Sequence, residues 1–274
     1  MRVFISCDME GVAGVCDWDY AMRDKMDYAH GRKLMIGECN AAVEGALAAG
    51  AKRIVVNDSH DGMINLLPEE IHPEAEVILG RNKPFSMMQG LSRQFDAAIF
   101  IGYHAGAGGL HGTLAHTYSG KVLNLSVNGV TLNEAGINAF YAGALGVPLV
   151  GLSGDDVLER EMQQLIPQAR TIVVKKGMGR KAAQSIHPSR AREKIKKGVQ
   201  EILAGAHRVK PFRLKPPYTL RISFHPPEIC DTCERMPGVV RVDGNTVAWK
   251  SRHPIDIYKA YLALMSISSA AVTD

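Results

Sequence analysis

Two acidic residues stand directly after an apolar run at the start of the chain. The run RVFISC occupies residues 2–7, and Asp8 and Glu10 follow it. If the backbone stays extended, the two carboxylates project to the same face, where their repulsion and desolvation are costly unless a cation is present. The pair therefore predicts a cation site at the end of the first strand.

Other residues of ligand type follow later apolar runs. His60 and His104 each come shortly after such a run, and Glu134 opens a predicted helix. Residues of this kind also have plain structural interpretations. Glu134 would be stabilised by the dipole at a helix N-terminus, and His104 could be a hydrogen-bonded loop histidine. Asp58 and Ser59, which precede His60, could be helix caps. Their shared position favours a site, because ligands of parallel α/β proteins bind outside the carboxyl ends of the strands.

The mixture of imidazoles and carboxylates indicates which metals fit. It suits Zn²⁺, Mn²⁺, Fe²⁺ or Co²⁺ better than Mg²⁺ or Ca²⁺, which prefer oxygen ligands. Three carboxylates and two histidines exceed what one catalytic zinc uses, so two ions sharing a bridging carboxylate is the economical interpretation. Such a centre activates water and polarises a carbonyl or phosphoryl oxygen, which predicts a hydrolase.

The elements that must position these residues are short β-branched runs alternating with helical patterns. We predict an α/β fold with a mainly parallel sheet flanked by helices on both faces. Helices are expected at 31–49 and 133–145, ending at Gly50 and Gly146. The predicted strands are RVFISC (2–7), RIVVND (53–58), AEVILG (75–80), AAIFIG (97–102), VPLVGL (147–152) and RTIVVK (170–175).

Two hairpins interrupt this pattern. The dipeptides Asn128-Gly129 and Asp243-Gly244 predict tight turns. The strands on either side of the first turn are expected to form an antiparallel hairpin excursion from the sheet. A final helix is expected at about 254–268. The predicted domains are a catalytic α/β domain over 1–180, which carries the metal site, and a smaller C-terminal α+β portion over 181–274.

Composition and charge argue against other classes of protein. The chain of 274 residues is 46% hydrophobic, yet no apolar run reaches the roughly 20 residues that a transmembrane helix needs. Its net charge is +4, and the basic residues between Arg190 and Lys197 form the solvated face of an amphipathic helix, without the aromatic residues of a nucleic-acid site. We therefore expect neither a membrane protein nor a nucleic-acid-binding protein.

The cysteines suggest a reducing compartment. There are five, an odd number, and no signal peptide is recognisable, so we expect a cytoplasmic protein. Cys230 and Cys233 have CxxC spacing, but a second pair of the kind that completes a zinc site does not occur in the sequence. We assign no catalytic role to them.

Seven short motifs follow one another along the chain: DMEG (8–11), VNDSH (56–60), KPFSM (83–87), GYHA (102–105), AHT (115–117), NEAGINA (133–139) and GDD (154–156). As a set they resemble a known family, the zinc-dependent D-aminopeptidases associated with bacterial dipeptide-transport operons. The similarity runs from Met1 to about residue 180, with Met236-Pro237-Gly238 as a weaker anchor. Their order and spacing are far more specific than any one tetrapeptide.

The resemblance implies a specific centre and activity. It implies hydrolysis of the N-terminal residue, a D-amino acid such as D-alanine, from short peptides with a free N-terminus, by a hydroxide activated by two zinc ions. It implies a homodecamer of two stacked five-membered rings and a catalytic role for His116. The implied zinc ligands are Asp8, which bridges the two ions, and Glu10, His60, His104 and Glu134.

One loop departs from the family pattern. HAGAGGLHGTLAH, which begins at His104, is one residue longer than we expect and contains a second candidate for the catalytic histidine, His111. We favour His116, because AHT has the family's small-His-small pattern and precedes the predicted strand KVLNLSV. His116 would stabilise the tetrahedral oxyanion or pass a proton to the leaving amine.

Two alternative functions remain open at this point. A dinuclear metal phosphoesterase uses similar ligands, but Arg81 and Lys83 are the only basic groups near the predicted site in sequence. A non-catalytic, metal-stabilised ring that binds peptides would not need His116. The preference for D- or L-residues and for peptide length depends on the three-dimensional pocket, and no single residue of the sequence indicates it.

Overall fold

The computed structural model describes residues 1–271, to which the structural statements refer. The last three residues of the predicted C-terminal portion lie outside this range. In chain order the elements are β1 (Arg2–Cys7), α1 (Trp18–Ala21), α2 (Tyr28–Ala48), β2 (Arg53–Asp58), β3 (Ala75–Ile78), β4 (Ala97–Ile101), β5 (Val122–Val127), β6 (Val130–Thr131), α3 (Glu134–Ala144), β7 (Leu149–Asp155), α4 (Asp156–Leu165), β8 (Arg170–Gly179), β9 (Ala182–Ser185), α5 (Pro188–Ala204), β10 (Tyr218–Phe224), α6 (Glu228–Cys233), β11 (Val240–Arg241), β12 (Thr246–Ser251) and α7 (Pro254–Ala271).

The main sheet has seven strands in the order β3-β2-β1-β4-β7-β8-β9. All neighbours are parallel except β9, which runs antiparallel to β8 at the edge. Both faces are covered, which is why the strands are continuous apolar runs. Ile5 packs into one core with residues of α2 and α5, whereas Phe4 packs into the opposite core with residues of α3 and α7. The predicted fold class is confirmed.

The predicted hairpin at Asn128-Gly129 is also confirmed, with both residues at positive φ. Its strand β5 pairs with β10, so it belongs to a second, antiparallel sheet in the order β11-β12-β10-β5-β6. This sheet shares a core with α3 and α7, where Leu125 and Ile222 are buried. This sheet joins strands from both sides of position 180. The domain boundary placed there stays a prediction.

The first long helix ends where the sequence predicted, although it begins earlier. The first long helix begins at Tyr28, earlier than predicted, and ends before Gly50, whose φ of 82° gives the left-handed turn that favours glycine. Among the described helices, none combines the length and apolarity that crossing a bilayer requires.

The strand order determines where the predicted ligands meet. Strand β1 lies between β2 and β4, so Asp8, His60 and His104 leave the same edge of the sheet from three adjacent strands. The β5–β6 hairpin leads into α3, whose first residue is Glu134. Ligand residues from distant parts of the chain are therefore brought to one place by the topology.

Candidate metal centre

The five predicted ligands lie together and are almost completely buried. Nδ1 of His60 is 3.0 Å from Oε2 of Glu10, and Nε2 of His104 is 3.0 Å from Oε1 of Glu134. Asp8 stands between the two histidines, with Oδ1 at 3.3 Å from His60 Nδ1 and Oδ2 at 3.6 Å from His104 Nε2. One carboxylate thus faces two separate imidazoles.

Main-chain carbonyls orient the histidine rings. A carbonyl oxygen only accepts, so the ring nitrogen beside it must carry the proton. His60 donates from Nε2 to Ala21 at 2.6 Å, and His104 donates from Nδ1 to Ala105 at 2.9 Å. When the ring is neutral, as a metal ligand must be, its other nitrogen presents a lone pair on the side of the carboxylates, which is the arrangement that outer hydrogen bonds impose on metal-ligating histidines.

One buried atom indicates that these residues fit a metal ion. Nε2 of His104 has no hydrogen-bond partner within residues 1–271, although it lies 3.0 Å from Glu134 Oε1. Two atoms bound to one zinc at about 2.0–2.1 Å lie roughly 3–3.5 Å apart, so this spacing suits a shared cation. Two sets offer ligand atoms within 4.8 Å of one another: Asp8, Glu10 and His104, and His104, His116 and Glu134.

The electrostatics also favour a cation. Burial, followed by the charge of Glu10, raises the pKa of Asp8 to about 8. Burial acts in the same sense on Glu10, but the charge and hydrogen bond of His60 outweigh it and hold the pKa of Glu10 well below its usual value. Burial lowers the pKa of His104, yet Glu134 and the other carboxylates raise it to about 10. The carboxylates therefore stabilise positive charge beside them, as a proton or as a metal ion.

The structure separates the two candidate catalytic histidines. His116 is buried and its ring stacks on that of His104, with centroids 4.0 Å apart. Its Nδ1 donates to the Leu114 carbonyl at 2.8 Å, and its Nε2 lies 3.7 Å from Glu134 Oε1. Burial and the neighbouring His104 lower its pKa. His111 is exposed at the surface, so only His116 is positioned to act at this centre.

Glu134 is held from two sides. It is the first residue of α3, and its Oε1 accepts a hydrogen bond from the Tyr118 amide at 2.7 Å. The preceding cap residue, Asn133, donates to Glu161, which also accepts from the Gly106 amide at 2.9 Å. Glu161 thereby ties the loop after His104 to the start of α3.

Asp58 has a structural role that differs from the cap considered in the sequence. A loop follows β2, and the Asp58 carboxylate accepts from the amides of His60 at 3.3 Å and Leu66 at 2.8 Å. Asn65 donates to the same carboxylate from its amide and its side chain. Asp58 therefore fixes the loop that presents His60.

Lys175 is a buried residue that the sequence analysis missed. Its Nζ donates to the carbonyl oxygens of Glu10, Val12 and Val15, so it fixes the loop that carries Glu10. Burial lowers its pKa to about 8. The available signal was a lysine directly after the apolar residues Ile172, Val173 and Val174. Its partners lie far away in sequence, so the run alone did not indicate this contact.

A cavity of about 350 Å³ opens beside the ligands, with Glu10, His60 and His116 in its wall. A concave site next to buried carboxylates and imidazoles, at the carboxyl edge of a parallel sheet, has the composition of a metallohydrolase centre. Fold and site together therefore define a metal-dependent hydrolase of the α/β class.

Comparisons with known proteins narrow this class. The model of the D-aminopeptidase family matches residues 1–263. A D-aminopeptidase of Bacillus subtilis (strain 168) is 33% identical over 269 residues, which cover 98% of each chain. A solved structure described as Zn-dependent D-aminopeptidase DppA from Bacillus subtilis, a self-compartmentalizing protease, is similar with a TM-score of 0.97 and 32% identity over 100% of both chains.

The chain belongs to the D-aminopeptidase family, and it is a metal-dependent aminopeptidase. The predicted family and enzyme class are confirmed. The match extends past residue 180, where the sequence motifs became weak, and includes the second sheet. Of the functions considered from the sequence, the phosphoesterase and the non-catalytic ring are not favoured by this membership.

Proposed function

We propose that the protein removes N-terminal D-amino acids, such as D-alanine, from short peptides with a dinuclear zinc centre. The observation that carries the proposal is Asp8, whose two oxygens face His60 and His104 separately. One zinc ion would be held by Asp8, Glu10 and His60, and the other by Asp8, His104 and Glu134. Asp8 is thus the proposed bridging ligand.

Zinc supplies Lewis-acid chemistry, which polarises a carbonyl oxygen and activates water for hydrolysis. The protein's own catalytic group is His116. Because its Nδ1–H is engaged by the Leu114 carbonyl, Nε2 is the atom that exchanges a proton with the substrate. We propose that Nε2 takes up the proton released by the attacking water and, once protonated, stabilises the oxyanion or passes this proton to the leaving amine. The rings of Trp18 and His116 form a T-shaped contact, with centroids 5.4 Å apart.

The assembly is proposed from the family, and the cytoplasmic location is proposed from the odd number of cysteines. The similar solved protein is described as self-compartmentalizing, which supports a homo-oligomer for this chain. The finer proposal is a decamer of two stacked five-membered rings in the cytoplasm. Light scattering coupled to size-exclusion chromatography measures the mass directly, and a monomeric active enzyme would contradict the assembly.

The decisive experiment pairs substrate handedness with metal analysis. Release of alanine from D-Ala-D-Ala and from L-Ala-L-Ala is measured on one purified sample whose zinc content is determined by mass spectrometry. We expect two zinc ions per subunit and turnover of the D-peptide in preference to the L-peptide. Preference for the L-peptide would overturn the proposed specificity, and full activity with one zinc ion per subunit would overturn the dinuclear centre.

A further inference from the structure

A second cavity adjoins the one at the metal centre. It measures about 800 Å³, and the two cavities share Asp61 and Tyr118 in their walls. Asp61 directly follows the ligand His60, and the amide of Tyr118 donates to the ligand Glu134. The second cavity therefore begins beside the metal ligands and leads away from them.

Three cations line this second cavity, which we call the basic cavity: Arg81, Lys83 and Lys259. Asp61, at the shared wall, is the only carboxylate among its lining residues within the part of the chain described. Lys83 is fixed in place, because its Nζ donates to Asn57 Oδ1 at 2.7 Å and to the Asp58 carbonyl at 2.6 Å. An ammonium group has three hydrogens, so one remains for another partner.

A fourth cation, Arg23, lies near Arg81 but is not among the residues that line the basic cavity. Guanidinium nitrogens of Arg81 and Arg23 lie 2.9 and 3.4 Å from the point that a β-carbon on Gly62 would occupy. Glycine at this position thus leaves room for two like-charged groups to approach. Within residues 1–271, Arg23, Arg81 and Lys259 form no ion pair with a carboxylate.

Unpaired cations gathered in a concave site attract an anion. Low-dielectric walls of one charge sign focus the field and raise the local concentration of the opposite ion. A guanidinium also matches a carboxylate in geometry, since it offers paired N–H donors to the two oxygens. The cations of the basic cavity therefore suit a small anionic group.

The substrate itself supplies such a group. A short peptide whose N-terminal residue is at the metal centre has a free carboxylate at its other end, and an extended chain gains about 3.3–3.6 Å per residue. Tyr118, in the shared wall, contacts both regions: its amide donates to Glu134, and its hydroxyl lies 3.3 Å from Ser86 Oγ in the basic cavity. Because the two cavities share part of their walls, a dipeptide or tripeptide bound at the metal centre would extend into the basic cavity.

We propose that the basic cavity binds the C-terminal carboxylate of the peptide substrate through Arg81, Lys83 and Lys259. This inference rests on the proposed peptidase function and adds a determinant of specificity to it. The enzyme would then select short peptides by both ends, with the amino end at the metal centre and the carboxylate in the basic cavity.

The test compares D-Ala-D-Ala with its C-terminal amide, D-Ala-D-Ala-NH2, on the metal-loaded wild type. We expect kcat/KM to be roughly tenfold or more higher for the acid, the effect of losing hydrogen bonds to a charged group. The difference should reside in KM, because the carboxylate is remote from the bond that breaks. Equal kcat/KM for acid and amide in the wild type would overturn the proposal.

Variants locate the effect in the basic cavity. The acid-to-amide ratio should fall towards one in Arg81→Gln and Lys259→Met, and further in the double variant. Each ratio is measured within one preparation, so a partly inactive sample does not change it. Lys197→Met is the matched control, since this exposed lysine lies on α5 and lines neither cavity, and it should retain the wild-type ratio. A ratio that persists in the double variant would contradict the assignment.

The same assay distinguishes failure of the subsite from failure of the proposed function. D-alanine p-nitroanilide has no C-terminal carboxylate and tests the peptidase centre alone. Turnover of the anilide with equal use of acid and amide overturns only the carboxylate subsite. Absence of turnover for all three substrates by zinc-loaded protein overturns the proposed function and the subsite with it.

Discussion

His104 and His116 stack face to face, with ring centroids 4.0 Å apart and ring planes 8° from parallel. Each ring donates its Nδ1 proton to a main-chain carbonyl, so both Nε2 atoms are directed at the buried carboxylates. A proposed metal ligand and the proposed proton carrier are thus held side by side. Loss of the His104 ring should weaken metal binding, whereas loss of the His116 ring should not, so the two roles can be separated by mutation.

Replacing His116 by alanine should remove proton transfer without removing the metal. We expect kcat to fall by about 10²–10⁴, the usual contribution of a positioned acid or base, while zinc content is kept. His111→Ala is the matched control and should behave as the wild type, because His111 is exposed. Steady-state kinetics and metal analysis on the same samples check this. Full activity of the His116 variant would contradict its role.

Replacing Asp8 by asparagine should affect both metal ions. The amide keeps the size of the side chain but loses the charge and one oxygen ligand that face His60 and His104. We expect zinc content below two per subunit and a loss of activity larger than the 10–100-fold that follows loss of an outer-sphere partner. Asp24→Asn, at an exposed position, is the control. Unchanged zinc content in the Asp8 variant would argue against a bridging carboxylate.

Replacing Lys175 by methionine should destabilise the fold and weaken zinc binding together. The change leaves three carbonyl oxygens without their donor, which we expect to lower the free energy of unfolding by about 3 kcal/mol or more. Because the Glu10 carbonyl is among them, zinc should also be lost at a lower chelator concentration. Denaturant unfolding and chelator titration measure the two effects.

Lys176→Met provides the control for that variant, since the neighbouring side chain is exposed and should be replaceable without either effect. Equal stability of the Lys175 and Lys176 variants would mean that the buried ammonium does not hold the Glu10 loop. Loss of stability with unchanged zinc affinity would limit Lys175 to a purely structural role.

Glu38 should make the free energy of unfolding fall as the pH rises. Burial raises its pKa to about 7, and the Ala13 amide, Lys175 and Arg192 only partly offset this. Its Oε2 has no hydrogen-bond partner in the described part of the chain. The native state therefore keeps the proton longer than the unfolded state, so the group destabilises the protein as pH rises from about 4.5 through 7.

Glu38→Gln should remove this penalty while its side-chain oxygen still accepts from Ala13. We expect little difference from the wild type at pH 5 and a gain of up to about 3 kcal/mol in the free energy of unfolding at pH 8. Urea unfolding at both pH values measures the change, with the exposed Glu69→Gln as control. A gain that is larger at pH 5 would show the opposite sign.

Local patterns predicted the elements because their causes are local. The apolar run of β1 marks a strand buried on both faces, and Gly50 and the Asn128-Gly129 pair adopt the positive φ angles that helix stops and tight turns require. The pairing of β5 with β10 was not predictable in the same way. It joins segments far apart in the chain, and their apolar faces fit several alternative partners.

The chemical types of the predicted ligands, and their place near strand ends, were determined by the sequence. Asp8, Glu10, His60, His104 and Glu134 were expected at one edge, and the structure brings them together with His116. Only the tertiary structure decided which histidine nitrogen faces the carboxylates, because that depends on carbonyls contributed by loops. It also decided that Lys175 fixes the Glu10 loop and that Arg81 and Lys259 line one cavity. Sequence records the type of each group, whereas contacts between distant segments arise only from packing.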